Sequence, residues 1–208
     1  MEKELYATPE TILEKGRQWV ASLDRKRSWN GPPNKAALLI LDMQSFFMSR
    51  KSHAFIPTAP AVIDVIVQMT AAFKGPVIAT RHLGDEDGSN LMNSWWRDNV
   101  KDNEAEIIHE LKGIPDVVFD KHHYSAFHET GLERYLEENG VDSIIITGVH
   151  TDLCCETTAR DAFMKGYKIY LIADGTATST EERHISALKI ISIGFGEVLT
   201  SAESRSLL

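Results

Sequence analysis

Apolar residues fall along this chain in short unbroken runs separated by longer amphipathic or polar stretches. Ala37-Leu38-Leu39-Ile40-Leu41, Val77-Ile78-Ala79-Thr80, Val117-Val118-Phe119 and Ile144-Ile145-Ile146 are too short for helices and are bounded by turn residues. Such runs predict strands buried on both faces. Lys168 to Ala173 and Glu197 to Thr200 predict two more. Between the strands, helical spacing predicts helices over 59–74, 129–139 and 180–193, a short one over 104–111, and one after the fourth strand that closes at Gly166. The alternation predicts an α/β fold: a doubly wound, Rossmann-like, mainly parallel sheet of six strands with helices on both faces. Ligands of such sheets bind beyond the carboxyl ends of the strands, where strand order reverses.

Residues 1–34 stand apart from this pattern. Thr8-Pro9-Glu10 reads as an N-cap with proline at the first helical position, and Ile12, Leu13, Trp19, Val20 and Leu23 form a stripe. Asn30-Gly31-Pro32-Pro33 breaks it. The expectation is an N-terminal helical extension, 1–34, outside a domain spanning 35–208 or reaching a neighbouring subunit.

The stretch from Ser143 to Ala162 reads as strand, tight turn and helix start. With Thr151 or Asp152 as cap, Cys154 falls in the first helical turn, where backbone N–H groups favour an anion and the thiol pKa should fall. Cys155 points about 100° away, so at most one of the two sulfurs faces the strand ends. Alone, such a pair reads as two small buried hydrophobes. Asp42 ends the first strand and Lys121 follows the third, so a carboxylate, an ammonium and a thiol share one rim. The carboxylate can take the thiol proton, the ammonium can hold the charges together, and the sulfur can attack a carbonyl. Taken singly, Asp42 reads as a turn residue and Lys121 as a solvated lysine. A dinucleotide site is excluded, because the first strand runs into Asp42-Met43-Gln44-Ser45-Phe46-Phe47 with no Gly-x-Gly-x-x-Gly.

Composition narrows the class. With 208 residues, 43% of them hydrophobic, the chain can bury one sizeable core. A net charge of −8 without a basic run excludes a nucleic-acid surface or an anionic membrane as partner. Two adjacent cysteines make poor disulfide partners, and Met1 to Tyr6 lacks the apolar core of a signal peptide. A cytoplasmic protein acting on a small molecule is expected.

Four motifs carry a resemblance: Leu-Leu-Ile-Leu-Asp-Met-Gln (38–44), Lys-His-His-Tyr-Ser-Ala-Phe-His (121–128), Ile-Ile-Thr-Gly-Val-His-Thr (145–151) and Cys-Cys-Glu-Thr-Thr-Ala-Arg-Asp-Ala-Phe (154–163). From about Ala36 to Glu203 the chain resembles the isochorismatase-like hydrolase superfamily, which includes isochorismatases and cysteine amidases such as nicotinamidases. The resemblance implies that Asp42, Lys121 and Cys154 are a catalytic triad. It also implies a cis peptide between Val149 and His150, with the N–H groups of His150 and Cys154 forming an oxyanion hole. The pattern is nearest to isochorismatases, but those carry glycine where this chain has Cys154, and an arginine in the loop where it has Gly88. Both departures favour the amidase branch. Nicotinamidases hold a divalent ion with an Asp-x-His…His set after the second strand. Here Arg81-His82, Asp85 and Asp87 do not match that spacing, and the adjacent His122 and His123 point to opposite faces. No required metal and no cofactor are expected.

The reading is a cysteine hydrolase that cleaves a small amide, ureide or carbamoyl compound through a Cys154 acyl-enzyme. Its rivals are an isochorismatase with Asp42 as the acid, and a non-catalytic binding or scaffold protein. Gln44, Phe47, His82, Trp95, Trp96, His122, Tyr124 and Phe127 are the candidate pocket residues. Trp19, the Trp95-Trp96 pair and the family's habit of assembly point to a homo-oligomer, a dimer or tetramer.

Overall fold

The computed structural model describes residues 2–24, 27–84, 91–96, 100 and 104–207. Its six strands are β1 (Ala36–Leu41), β2 (Val77–His82), β3 (Val117–Lys121), β4 (Ser143–Val149), β5 (Lys168–Ala177) and β6 (Glu197–Leu199). They form one sheet in the order β3-β2-β1-β4-β5-β6, and every neighbouring pair is parallel. The order reverses between β1 and β4, both buried along their whole length. β3 lies at the edge, and its side chains alternate between half-buried and exposed until the buried Lys121. The sheet is covered on both sides by helices.

The helices are α1 (Ile12–Ala21), α2 (Ser45–Met48), α3 (Ile63–Ala72), α4 (Leu91–Trp96), α5 (Leu132–Glu138), α6 (Glu156–Met164) and α7 (Glu181–Gly194). α3 is preceded by a 3-10 turn over Ala59–Val62, and Thr180 caps α7 by accepting the Arg183 N–H. No helix among the described residues is long and apolar enough to cross a membrane.

Local details depart from the sequence reading for identifiable reasons. The segment 104–111 is helical only as a 3-10 turn at His109–Leu111. Its backbone is engaged elsewhere, since Glu104 and Glu106 carbonyls accept from Phe46 and Ser45, and Ile107 bridges Gln44. α5 starts at Leu132 rather than 129, because Glu129 adopts φ 55° and the Thr130 hydroxyl accepts the Leu132 N–H. Thr8 and Pro9 form a turn ahead of α1, and Thr11 at the N-cap position spends its hydroxyl on the Thr8 N–H rather than on a cap bond.

Residues 1–34 contribute Tyr6, Ile12, Trp19, Val20 and Leu23 to the same apolar core as the sheet, while Leu13 is exposed. α1 lies against β5, and Gly16 makes the approach possible, since a Cβ there would sit 2.7 Å from Asp174 Cβ. Trp19, a candidate subunit contact by sequence, is instead packed edge-on against His184 inside its own chain, with ring centroids 4.4 Å apart.

One close approach sets the centre of the sheet. Gly148 pairs with Leu41 at φ 106°, and a Cβ there would lie 2.1 Å from the Leu41 carbonyl oxygen. Only glycine fits between the two backbones.

Candidate active site

Three ionisable side chains converge where β1, β3 and β4 end. Asp42 directly follows β1 in the left-handed region at φ 52° and is fully buried. Its Oδ1 accepts the Thr80 hydroxyl at 2.7 Å, and its Oδ2 lies 2.8 Å from Lys121 Nζ. Lys121 closes β3 and points inward by the alternation of that edge strand, which leaves it 1% exposed. Its ammonium also donates to the His123 carbonyl at 2.9 Å and to Cys154 Sγ at 3.4 Å. The ammonium therefore sits between carboxylate and sulfur.

Cys154 reaches this point from a single π-helical turn, Thr151–Cys155, inserted between β4 and α6. Thr151 and Asp152 do not cap it. The Thr151 hydroxyl pairs with His184 Nδ1 at 2.9 Å, and the Asp152 carboxylate takes the Arg183 guanidinium at 2.5 Å and the Thr178 hydroxyl. The His150 carbonyl instead accepts the Cys155 N–H at 3.0 Å. The Val149–His150 peptide is cis.

Burial reverses one expectation about the sulfur. The Cys154 thiol does not fall in pKa; loss of solvent pushes it up to about 12, against the pull of the Lys121 ammonium. Burial also opposes ionisation of Asp42, but the Lys121 charge outweighs it and holds the carboxyl below its usual range. Burial likewise opposes the charge on Lys121, and the Asp42 carboxylate overcomes it and raises the ammonium. At neutral pH the resting set is thiol, carboxylate and ammonium. The thiol also lies in hydrogen-bonding reach of the Asp42 carboxylate, so its proton has an acceptor. Cys155, fully buried, is likewise raised well above its usual range by burial and by the neighbouring Cys154 sulfur.

Above the sulfur opens a cavity of about 250 Å³. Of the eight side chains expected there, Phe47, His82, Trp96 and Tyr124 line it. The other four do not. Gln44 is spent as a staple, its amide donating to the His82 and Ala105 carbonyls while its oxygen accepts the His82 N–H. Phe127 packs on Tyr167 with centroids 5.9 Å apart, Trp95 is 76% exposed, and His122 is half-buried away from the lining. Walls that sequence reasoning missed include Lys3, Phe46, Phe55 and Ser179. No periodicity links these positions to Cys154. Thr80 was also missed as an Asp42 partner, although its place at the end of the second strand put it beside the first.

The walls are electrically quiet. Burial, followed by the Lys121 charge, depresses His82 to about 3, and burial depresses His150 to about 4, so both rings are neutral. Phe47 stands edge-on to His150, with centroids 5.2 Å apart. As to a metal, Arg81, near the end of β2, is engaged by Asp120 through two hydrogen bonds, and Asp85 to Gly88 lie outside the described residues. Among the described residues, the grouping of His and carboxylate ligand atoms within 4.8 Å is His123, His128 and Glu129, after β3 and largely exposed. It does not correspond to an Asp-x-His…His set after β2.

Comparison with known proteins agrees with this architecture. A family model described as the Isochorismatase domain matches residues 36–203. Nicotinamidase 3 of Arabidopsis thaliana is 38% identical over 178 residues, covering 82% of this chain and 86% of that protein. Enterobactin synthase component B of Escherichia coli (strain K12) is 33% identical over 189 residues. That match covers 86% of this chain but 65% of the relative's length. Among solved structures, a cysteine hydrolase from Pseudomonas syringae pv. phaseolicola 1448A matches with a TM-score of 0.78 at 29% identity, over 88% of this chain and 97% of that one.

Proposed function

The chain belongs to the isochorismatase family, and from that premise we propose that it is a cysteine hydrolase cleaving the C–N bond of a small amide, ureide or carbamoyl compound. The observation that carries the reading is the buried Lys121 ammonium, 2.8 Å from Asp42 and 3.4 Å from Cys154 at the floor of the cavity.

Asp42 takes the thiol proton as Sγ adds to the carbonyl carbon, so no free thiolate has to exist beforehand. This fits a thiol whose burial pushes it up to about 12. The new oxyanion faces the N–H groups of His150 and Cys154, donors of a kind that each contribute about 2.7–4 kcal/mol in the transition state. Asp42 returns its proton to the departing nitrogen, the C–N bond breaks, and an acyl thioester remains on Cys154. Water then gives a proton to Asp42 and adds to the thioester carbonyl. The sulfur leaves, recovers that proton and releases the acid. Lys121 stays protonated throughout and balances whichever partner is anionic.

The family model's own description favours a second reading, vinyl-ether hydrolysis with Asp42 as acid and water as nucleophile. Turnover of a panel of small amides, ureides and isochorismate by wild type, Asp42→Asn and Cys154→Ala separates them. The amidase reading expects both variants to lose several orders of magnitude and an acyl adduct to be trapped on Cys154. Retained activity in Cys154→Ala rejects the covalent route and installs the second reading.

A further inference from the structure

The cavity over Cys154 has a charge asymmetry that the reaction scheme leaves unused. Among the described lining residues no carboxylate is present; of the three histidines there, His53 stands edge-on to Phe46, and His82 and His150 are neutral. Beneath the thiol, the Asp42 and Lys121 charges offset each other at 2.8 Å. Lys3 is the one lysine or arginine among the described lining residues. Its Nζ lies 3.4 Å from the Ser52 carbonyl oxygen and 5.8 Å from the Phe55 ring centroid, with no described carboxylate paired to it. The Arg50 guanidinium stands 5.9 Å from the same ring, so two cations flank Phe55.

The segment carrying Lys3 is tied in place. Glu4 N–H donates to the Ser179 carbonyl at 2.8 Å, and Tyr6 N–H donates to the Thr58 hydroxyl at 3.1 Å. Thr178 N–H donates to the Tyr6 hydroxyl oxygen at 3.0 Å. Tyr124, on the same cavity, accepts the Trp96 indole N–H at 2.9 Å and keeps its own hydroxyl proton to donate. An ammonium and a hydroxyl donor on walls that are mostly aromatic and aliphatic, with Asn93 and Ser179 as further polar groups, suit an anionic group on a flat or apolar body.

We propose that Lys3 forms an anion subsite in this cavity, and that the substrate is a small amide or ureide bearing a carboxylate remote from the carbonyl that Cys154 attacks. The identity of the cleaved bond rests on the hydrolase reading above; the anion subsite itself does not.

The test compares matched pairs, glutaramate with pentanamide and 4-carbamoylbenzoate with 4-methylbenzamide, in wild type, Lys3→Met and Lys3→Arg. The expected result is an acid preference of about tenfold or more in kcat/KM that Lys3→Met abolishes, mainly through KM. Lys3→Arg retains the preference. In parallel, calorimetry with glutarate should show binding weakened about tenfold by Lys3→Met. Equal turnover of acid and neutral members, or an acid preference that survives Lys3→Met, overturns the proposal. So does glutarate binding that is absent or indifferent to the variant. If no amide is turned over and Cys154 takes no acyl group, the hydrolase reading fails by itself, and glutarate binding still decides the subsite.

Discussion

Thr80 holds Asp42 from the neighbouring strand: its hydroxyl donates to Asp42 Oδ1 at 2.7 Å, and the same oxygen accepts the Asp42 backbone N–H at 3.3 Å. The carboxylate is thus fixed on one oxygen by Thr80 and on the other by Lys121. Thr80→Val should remove the first restraint without touching the cavity. We expect kcat to fall roughly 10- to 100-fold with KM little changed, about 1–3 kcal/mol for an unpaired buried polar atom. The acid limb of the kcat/KM profile should move to higher pH, because the carboxylate loses a hydrogen bond to its charged form. Thr80→Ser should restore both. An unshifted acid limb would leave Thr80 a packing residue.

Asp42 and Lys121 should each be worth more to the fold as a pair than alone. Both are fully buried, so deleting one leaves an uncompensated charge at a cost of about 3–5 kcal/mol. Urea unfolding should show Lys121→Met strongly destabilised, and the double variant Asp42→Asn/Lys121→Met recovering part of the loss. Additive losses in the double variant would contradict the coupling.

Cys154 should be alkylated well before Cys155. Both thiols are raised by burial, but Cys154 lines the cavity and has a proton acceptor, while Cys155 is fully enclosed. Mass spectrometry after limiting iodoacetamide should place the label on Cys154, and Asp42→Asn should slow it. Label on Cys155 first would refute this.

Stability should decline as pH drops below about 6.5. Burial depresses His184 to about 4, His150 to about 4 and His82 to about 3. Each folded-state pKa lies below the unfolded value, so between them the unfolded chain binds protons that the native chain refuses. The stability conferred by each neutral ring is complete above the unfolded pKa and is lost on the way down to the folded one. The slope approaches about 1.4 kcal/mol per pH unit for each imidazole. Denaturant midpoints at pH 7, 6 and 5 check the sign; a flat profile would mean that the rings take up protons without unfolding.

The strands were legible because Leu38 to Leu41 and Ile144 to Ile146 are short, β-branched or leucine-rich and apolar without alternation, as a strand buried on both faces requires. The positions of Asp42, Lys121 and Cys154 followed from the strand ends. Other features rest on contacts that no local pattern encodes. Whether Cys154 is acidic depends on how much solvent the folded chain leaves around it, and helix-end reasoning gave the wrong direction. Glu104 to Leu111 has helical spacing, yet its carbonyls are taken by Ser45 and Phe46. Lys3 and Phe55 meet only because the N-terminal segment folds back over residues 52–58.

The absence of a side chain at Gly148 has an evolutionary reach. With β1 and β4 in backbone contact there, Asp42 and the turn bearing Cys154 ride on strands whose spacing is set by the sheet. Lys3, Phe46 and Phe55 sit on segments outside it. On the proposed reading, this part of the cavity wall can vary without shifting Asp42 or Cys154. A library confined to residues 2–8 and 49–58 should therefore change which compounds the cavity accepts while the Asp42–Lys121 pair keeps its 2.8 Å contact.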